Sequence, residues 1–260
     1  MRPSPKGFTL IEMSIVLVII GLIVGGILVG QELIAGAKIR AQVSQITQLA
    51  AALNTFRNKY DAMPGDLCAN ASKFGLLCGN AAGSRDNGVI DDQNSLNPIH
   101  GSAYEPIFFF GHLVGAGLLA PNYLTGTNAS GTACVLYTTA SANPYSGYLT
   151  MALNPQYGMI ATSWNGGTWV WLAVSDCGTY TVNTLGLNPV MTPPQAYAID
   201  LKMDDGVPST GNTLAFTYNN STQLLNTVDV TAGKCVTTAA ATTYNITNNT
   251  LQCRLLIKLQ

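Results

Sequence analysis

Lys6-Gly7-Phe8-Thr9-Leu10-Ile11-Glu12 runs without a break into MSIVLVIIGLIVGGILVG, residues 13–30. About 20 consecutive apolar residues are enough for a helix to cross a hydrocarbon core, and a carboxylate inside such a stretch needs a reason. The order of the parts is also informative. A secretory signal places its apolar core before a small-residue cleavage site and loses that core on processing. Here the small residue Gly7 comes first, behind a short leader carrying Arg2 and Lys6. Cutting after Gly7 would leave the apolar helix as the mature N-terminus.

The segment Lys6-Gly7-Phe8-Thr9-Leu10-Ile11-Glu12 resembles the processing and methylation site of type IV pilins and type II secretion pseudopilins. The resemblance covers about thirty residues. It implies cleavage between Gly7 and Phe8 by an inner-membrane prepilin peptidase, followed by N-methylation of Phe8. Arg2 and Lys6 precede the span and Glu32, Lys38 and Arg40 follow it. That distribution favours an N-terminus in the cytoplasm and a chain facing the periplasm.

Glu12 has three readings. It can be an acidic residue near a helix start, favoured by the macrodipole and close enough to the interface to stay hydrated. It can pair with the new α-amino group of Phe8, one turn away. It can also meet the Phe8 amine of a neighbouring subunit in a filament core, where an unpaired charge is costly and a paired one tolerable. The resemblance favours the third reading. Gly21, Gly25, Gly26 and Gly30 form overlapping small-xxx-small pairs that allow close helix approach, although glycine is frequent in membrane helices generally. Many type IV pilins carry a helix-breaking proline in this segment, and here there is none.

Beyond Gly30 the apolar run grades into an amphipathic one. Val43, Ile46, Ala50, Leu53, Phe56 and Tyr60 recur at helical spacing with Gln42, Gln45, Gln48 and Arg57 between them. One helix from Phe8 to Tyr60 is predicted, about 80 Å long, stopped by Met63-Pro64-Gly65-Asp66. A further helix is expected at Glu105–Leu119 and a short one from Thr192-Pro193-Pro194 through Lys202. Short β-branched or aromatic segments at Ala133–Thr139, Tyr148–Leu153, Thr168–Val174, Thr213–Tyr218, Thr227–Thr231 and Leu251–Lys258 suggest an antiparallel sheet. The predicted fold class is α+β: a long helix packed on a sheet. The expected divisions are a leader at 1–7, a membrane or filament-core helix at 8–30, its amphipathic continuation at 31–61 and one globular domain at 62–260.

The formal net charge of −1, with only 10% charged residues, argues against non-specific nucleic-acid binding, which needs a basic surface. All six cysteines, Cys68, Cys78, Cys134, Cys177, Cys235 and Cys253, follow the membrane segment, so an even count suggests disulfides in an oxidising compartment. Of about 15 connectivities, the local pairs Cys68–Cys78, Cys134–Cys177 and Cys235–Cys253 are expected. The last would pin the C-terminal strands, as a C-terminal bridge does in many type IV pilins. Two acidic groups, Asp86 with Asp91 and Asp92, and Asp200 with Asp204 and Asp205, offer oxygen ligands on glycine-containing loops, the irregular coordination that suits calcium. The first is the stronger candidate, and solvated turns are the competing reading for both. The second also resembles a segment recurring in prepilin-like proteins.

No catalytic motif stands out. His100 and His112 lack a nucleophile nearby, and Ser163 lacks a nucleophile elbow. Trp164, Trp169 and Trp171 could stack on carbohydrate, but Trp169-Val-Trp-Leu-Ala-Val174 is apolar on both faces, as a buried strand would be. The expected function is therefore structural. A subunit is anchored in the inner membrane, processed, methylated and polymerised with itself or other pilins by an inner-membrane assembly platform, into a surface pilus or a periplasmic pseudopilus. The alternative is a membrane-anchored binding protein, lectin-like or adhesin-like, that does not polymerise.

Overall fold

A computed structural model of the chain describes residues 7, 9–67, 86–90, 105–121, 149–174, 189–216, 233–238 and 242–259. Helix α1 runs unbroken from Leu10 to Tyr60. Thr9 caps its start: the Glu12 N–H donates to Thr9 Oγ1 at 3.3 Å, and Thr9 N–H donates back to Glu12 Oε2 at 2.7 Å. This reciprocal box satisfies two donors that a helix start leaves free. At the other end Asp61 enters the left-handed region (φ 50°), and its N–H donates to the Arg57 carbonyl. The stop thus lies just before Met63-Pro64-Gly65, whose turn folds back on α2, Glu105–Gly115. Gly65, at φ 93°, is required there, because a Cβ would come within 2.5 Å of the Glu105 carbonyl oxygen.

Helix α2 ends four residues before the expected Leu119. The Leu118 N–H donates to Leu113 O and the Gly117 N–H to Val114 O. With Gly117 at φ 72°, this is the double hydrogen bond that closes a helix around a glycine. Helix α3, Pro193–Met203, begins at its prolines as expected, with the Thr192 N–H donating to the Gln195 side chain at 2.9 Å.

Among the described residues five strands, β1 Leu149–Thr150, β2 Gly158–Trp164, β3 Gly167–Val174, β4 Thr213–Phe216 and β5 Arg254–Lys258, form one antiparallel sheet in the order β1-β2-β3-β5-β4. The C-terminal strand is therefore interior to the sheet. Strand β2 was not expected. Its Gly-Met-Ile-Ala-Thr-Ser-Trp sequence has modest strand propensity and no polar alternation, since its first five residues are all buried. The signal that could have found it is Asn165-Gly166, both at positive φ, the two-residue turn of a tight hairpin. Expected strands at Ala133–Thr139 and Thr227–Thr231 lie outside the described residues. The expected Tyr148–Leu153 strand shortens to two residues, and Leu251–Lys258 pairs as a strand only from Arg254.

Met159, Ala161, Val170, Leu172, Ala215, Leu255 and Ile257 share one sheet face by register, and they pack in one core with Ile46, Leu49, Leu53 and Phe56 of α1 and Phe109, Phe110 and Leu113 of α2. The opposite face, with Ile160, Trp169, Trp171, Leu214 and Leu256, is also buried. That fits the doubly apolar reading of β3.

Candidate functional site

The first half of α1 is bare. Seventeen large apolar side chains between Leu10 and Ile34 are exposed, from Met13 at 44% to Leu10 at 92%. It is also the one described helix long and apolar enough to cross a membrane. Each such side chain left in water forgoes about 1.5–3 kcal/mol, so this surface in water would cost on the order of 25–50 kcal/mol. Lipid or other apolar helices must cover it. Burial by the domain begins at Ile39, next to Lys38 and Arg40. The surface that the domain leaves bare therefore extends past Gly30 to Leu33 and Ile34.

At the head of this segment the Glu12 carboxylate is held by the backbone and hydroxyl of Thr9, both on Oε2 (2.7 and 2.8 Å). Gly7 is exposed; Phe8 lies outside the described residues. Gly21, Gly25, Gly26 and Gly30 have open space where a Cβ would stand, so the helix surface there is available to a partner.

In the second half of α1, two residues read as solvent-facing are not. Gln42 is fully buried, and Gln45 is partly buried. Gln45 Nε2 donates to the Thr150 carbonyl at 2.7 Å, and its Oε1 accepts from Ala152 N–H at 2.9 Å. Gln42 Oε1 accepts from Leu153 N–H at 3.0 Å. Two side-chain amides thus take the place of a neighbouring strand along the β1 edge, which would otherwise be left with unpaired backbone groups.

The Asp200–Asp205 segment closes the other edge. Asp204 Oδ2 accepts from the N–H groups of Asn212 and Thr213, and the Ala215 N–H donates to Pro208 O at 2.8 Å. Asp205 accepts from Val207 N–H at 2.8 Å and the Thr210 hydroxyl at 2.6 Å. Asp200 is buried, its two oxygens accepting from Tyr244 Oη at 2.7 Å and Gly206 N–H at 3.3 Å. Burial, aided by the Asp204 and Asp205 charges, pushes the Asp200 carboxyl up to about 6. Burial and the Asp200 charge push the Tyr244 phenol up too, so it stays a donor. The carboxylate oxygens of Asp200, Asp204 and Asp205 lie within 4.8 Å of one another, close enough to share a cation. Every one of these carboxylates also has a structural task. Sequence reasoning found the segment but not that task.

Of the stronger expected metal group, Asp86 is exposed at φ 54°, while Asp91 and Asp92 lie outside the described residues. Beside Asp86, a carboxylate read from the sequence only as the end of the helix stop does the organising. Buried Asp66 accepts from Asn87 N–H at 3.0 Å and Gly88 N–H at 2.7 Å, tying residues 86–90 to the end of α1. Burial raises its pKa despite those donors.

Cys235 and Cys253 are bonded, as expected; Cys68, Cys78, Cys134 and Cys177 lie outside the described residues. His112 is a core residue. Its Nδ1 accepts from Gly65 N–H at 3.0 Å, and burial lowers its pKa to about 4. His100 lies outside the described residues. Ser163 Oγ accepts from Ile90 N–H at 2.7 Å and so anchors a loop. Trp169 and Trp171 are buried, whereas Trp164 is half-buried.

Residues 2–28 match the family described as the prokaryotic N-terminal methylation motif. No curated protein and no solved structure matches the chain.

Proposed function

We propose that this chain, with a prokaryotic N-terminal methylation motif at its head, is a pilin-like or pseudopilin-like structural subunit. It is cut between Gly7 and Phe8 by a prepilin peptidase, methylated on Phe8, held in the inner membrane through α1 and then polymerised through that helix. The observation that carries the reading is the bare half of α1, continuous with a half embedded in the domain. Lipid and a bundle of like helices are equivalent apolar solvents for this surface, so the subunit can leave one for the other without exposing it to water. The domain rides on the same rigid rod. Its role is structural, not enzymatic, and an assembly machinery supplies the work of extraction.

Glu12 sets register in this scheme. Thr9 holds its carboxylate at the helix head, within reach of a neighbour's new amine once processing has freed it. In the native host, Glu12→Ala is expected to leave processed protein in the membrane and at least tenfold less in sheared or periplasmic filaments. Unchanged filament yield would refute the registering role. It would favour the second reading, a membrane-anchored binding protein that does not polymerise.

A further inference from the structure

The Cys235–Cys253 bond and the antiparallel bridge of Val236 with Tyr244 hold residues 245–251 as a turn on the surface. This turn carries two successive Asn-x-Thr triplets, Asn245-Ile-Thr247 and Asn248-Asn-Thr250. Asn-x-Ser/Thr is the acceptor pattern for a glycan on the asparagine side chain, where it stands on the surface of an exported protein. Both triplets have the same internal geometry. The Thr247 hydroxyl donates to Asn245 Oδ1 at 2.9 Å, and the Thr250 hydroxyl donates to Asn248 Oδ1 at 2.7 Å. The two amide nitrogens differ. Asn245 Nδ2 donates to the Gly233 carbonyl at 3.0 Å, and the Asn245 backbone N–H donates to the Cys235 carbonyl at 2.9 Å. Asn248 Nδ2 reaches the same Gly233 carbonyl only at 3.5 Å, past the usual range of an N–H···O bond. Asn245 thus fastens the turn, while the Asn248 nitrogen is loosely held.

We infer that Asn248 is the acceptor of an N-linked oligosaccharide. The donor class is an oligosaccharide carried on a polyprenyl pyrophosphate, and a membrane transferase joins the two. Asn248 Nδ2 bonds to the anomeric carbon of the first sugar as that carbon's bond to the pyrophosphate oxygen breaks. The lipid pyrophosphate leaves with the bonding electrons, and one Nδ2 proton passes to a base of the transferase. Such an enzyme reads the hydroxyl two residues on together with the amide, and exposed Thr250 presents the two side by side. The place suits a sugar. Ile246 and Leu251, 57% and 41% exposed, flank Asn248, and a bulky hydrophilic group between them covers apolar surface that the fold leaves in water. With only 10% charged residues and a net charge of −1, the chain has little charge to keep copies apart, and a glycan supplies solubility in its place. Transfer takes place on the exported side of a membrane, where disulfides also persist. The inference therefore rests on the proposed placing of the domain on that side.

The test is mass spectrometry of the chain purified from membranes of the native host, with thiols blocked before lysis and the protein then digested with trypsin. Residues 235–254 come out as one peptide, since no lysine or arginine lies between Lys234 and Arg254, and that peptide holds both triplets and both cysteines. A mass gain of a whole number of sugar residues is expected, located by fragmentation on Asn248 and not on Asn245. It should be lost in Asn248→Gln and in Thr250→Ala, and kept in Thr250→Ser. Thr250 is exposed, so its variants keep the fold. A glycan on a threonine hydroxyl or on Asn245 alone, or one that survives Thr250→Ala, overturns the inference. So does an unmodified peptide, and its cysteines then separate this inference from the filament reading. If they are bonded, the domain was exported and that reading is untouched; if they are reduced, the exported location falls as well.

Discussion

Replacing Asp200 with Asn keeps the shape of a fully buried side chain and removes its charge. In the folded chain this carboxyl titrates at about 6 against an ordinary 3.8, so between those values the native state binds the proton more readily than the unfolded one. Its contribution to stability is complete below about pH 3.8 and lost as pH rises through 6. At pH 7.5 the ionised form therefore costs about 3 kcal/mol, at ~1.4 kcal/mol per unit. Asp200→Asn is expected to recover up to that amount at pH 7.5, about 6–12 °C in Tm for a domain this size, and almost nothing at pH 4. Buried His112 acts in the opposite sense. With its pKa lowered from 6.5 to about 4, it supports the fold above pH 6.5 and withdraws that support as pH falls toward 4. Asp66, raised by burial, sides with Asp200. The parent should thus change little in stability between pH 6.5 and 4, while Asp200→Asn should lose about 3 kcal/mol across that window. The assay is urea unfolding of the detergent-solubilised chain, read by the emission of Trp169 and Trp171 in the sheet. A variant less stable than the parent at pH 7.5 by more than about 1 kcal/mol would refute the argument, because the charge would then be favourable where it stands. If about 1 mM calcium then stabilised the parent and not the variant, the three carboxylates would be a cation site rather than a clamp on the sheet edge.

Gln42→Leu fills nearly the same volume but leaves the Leu153 N–H facing an apolar group. A loss of about 1–3 kcal/mol is expected in the same unfolding assay, and a change below ~0.5 kcal/mol would show that water serves that edge. Replacing Cys235 and Cys253 together with Ser opens a loop of 18 residues and should cost about 3 kcal/mol, provided the comparison is made without reductant; equal stability would mean the C-terminal strand is held by packing alone. For His112, the imidazole NMR signal should stay in its neutral form down to about pH 4, and protonation near 6.5 would contradict its burial.

What could be read in the chain by itself was whatever depends on near neighbours. The apolar run with Glu12 inside it, the shift to amphipathic spacing after Gly30, the long helix that ends at Tyr60, the Pro193 start and the doubly apolar β3 all follow from contacts within a turn or a strand. The same local rules misplaced Gln42 and Gln45. A buried amide on a helix is told from a solvated one only by its partner, here 111 and 105 residues away. Strand β2 was missed for a related reason: with both faces covered, nothing in its sequence alternates. Asp200 shows the limit most clearly. Its sequence neighbours Asp204 and Asp205 suggest a cation loop, while Tyr244, brought from 44 residues away beside the Cys235–Cys253 bridge, makes it a buried acceptor. Sequence thus determined the rod and what must cover it. Tertiary structure decided how the sheet's edges are closed, because a polar group's cost depends on which distant donor or acceptor the fold sets against it.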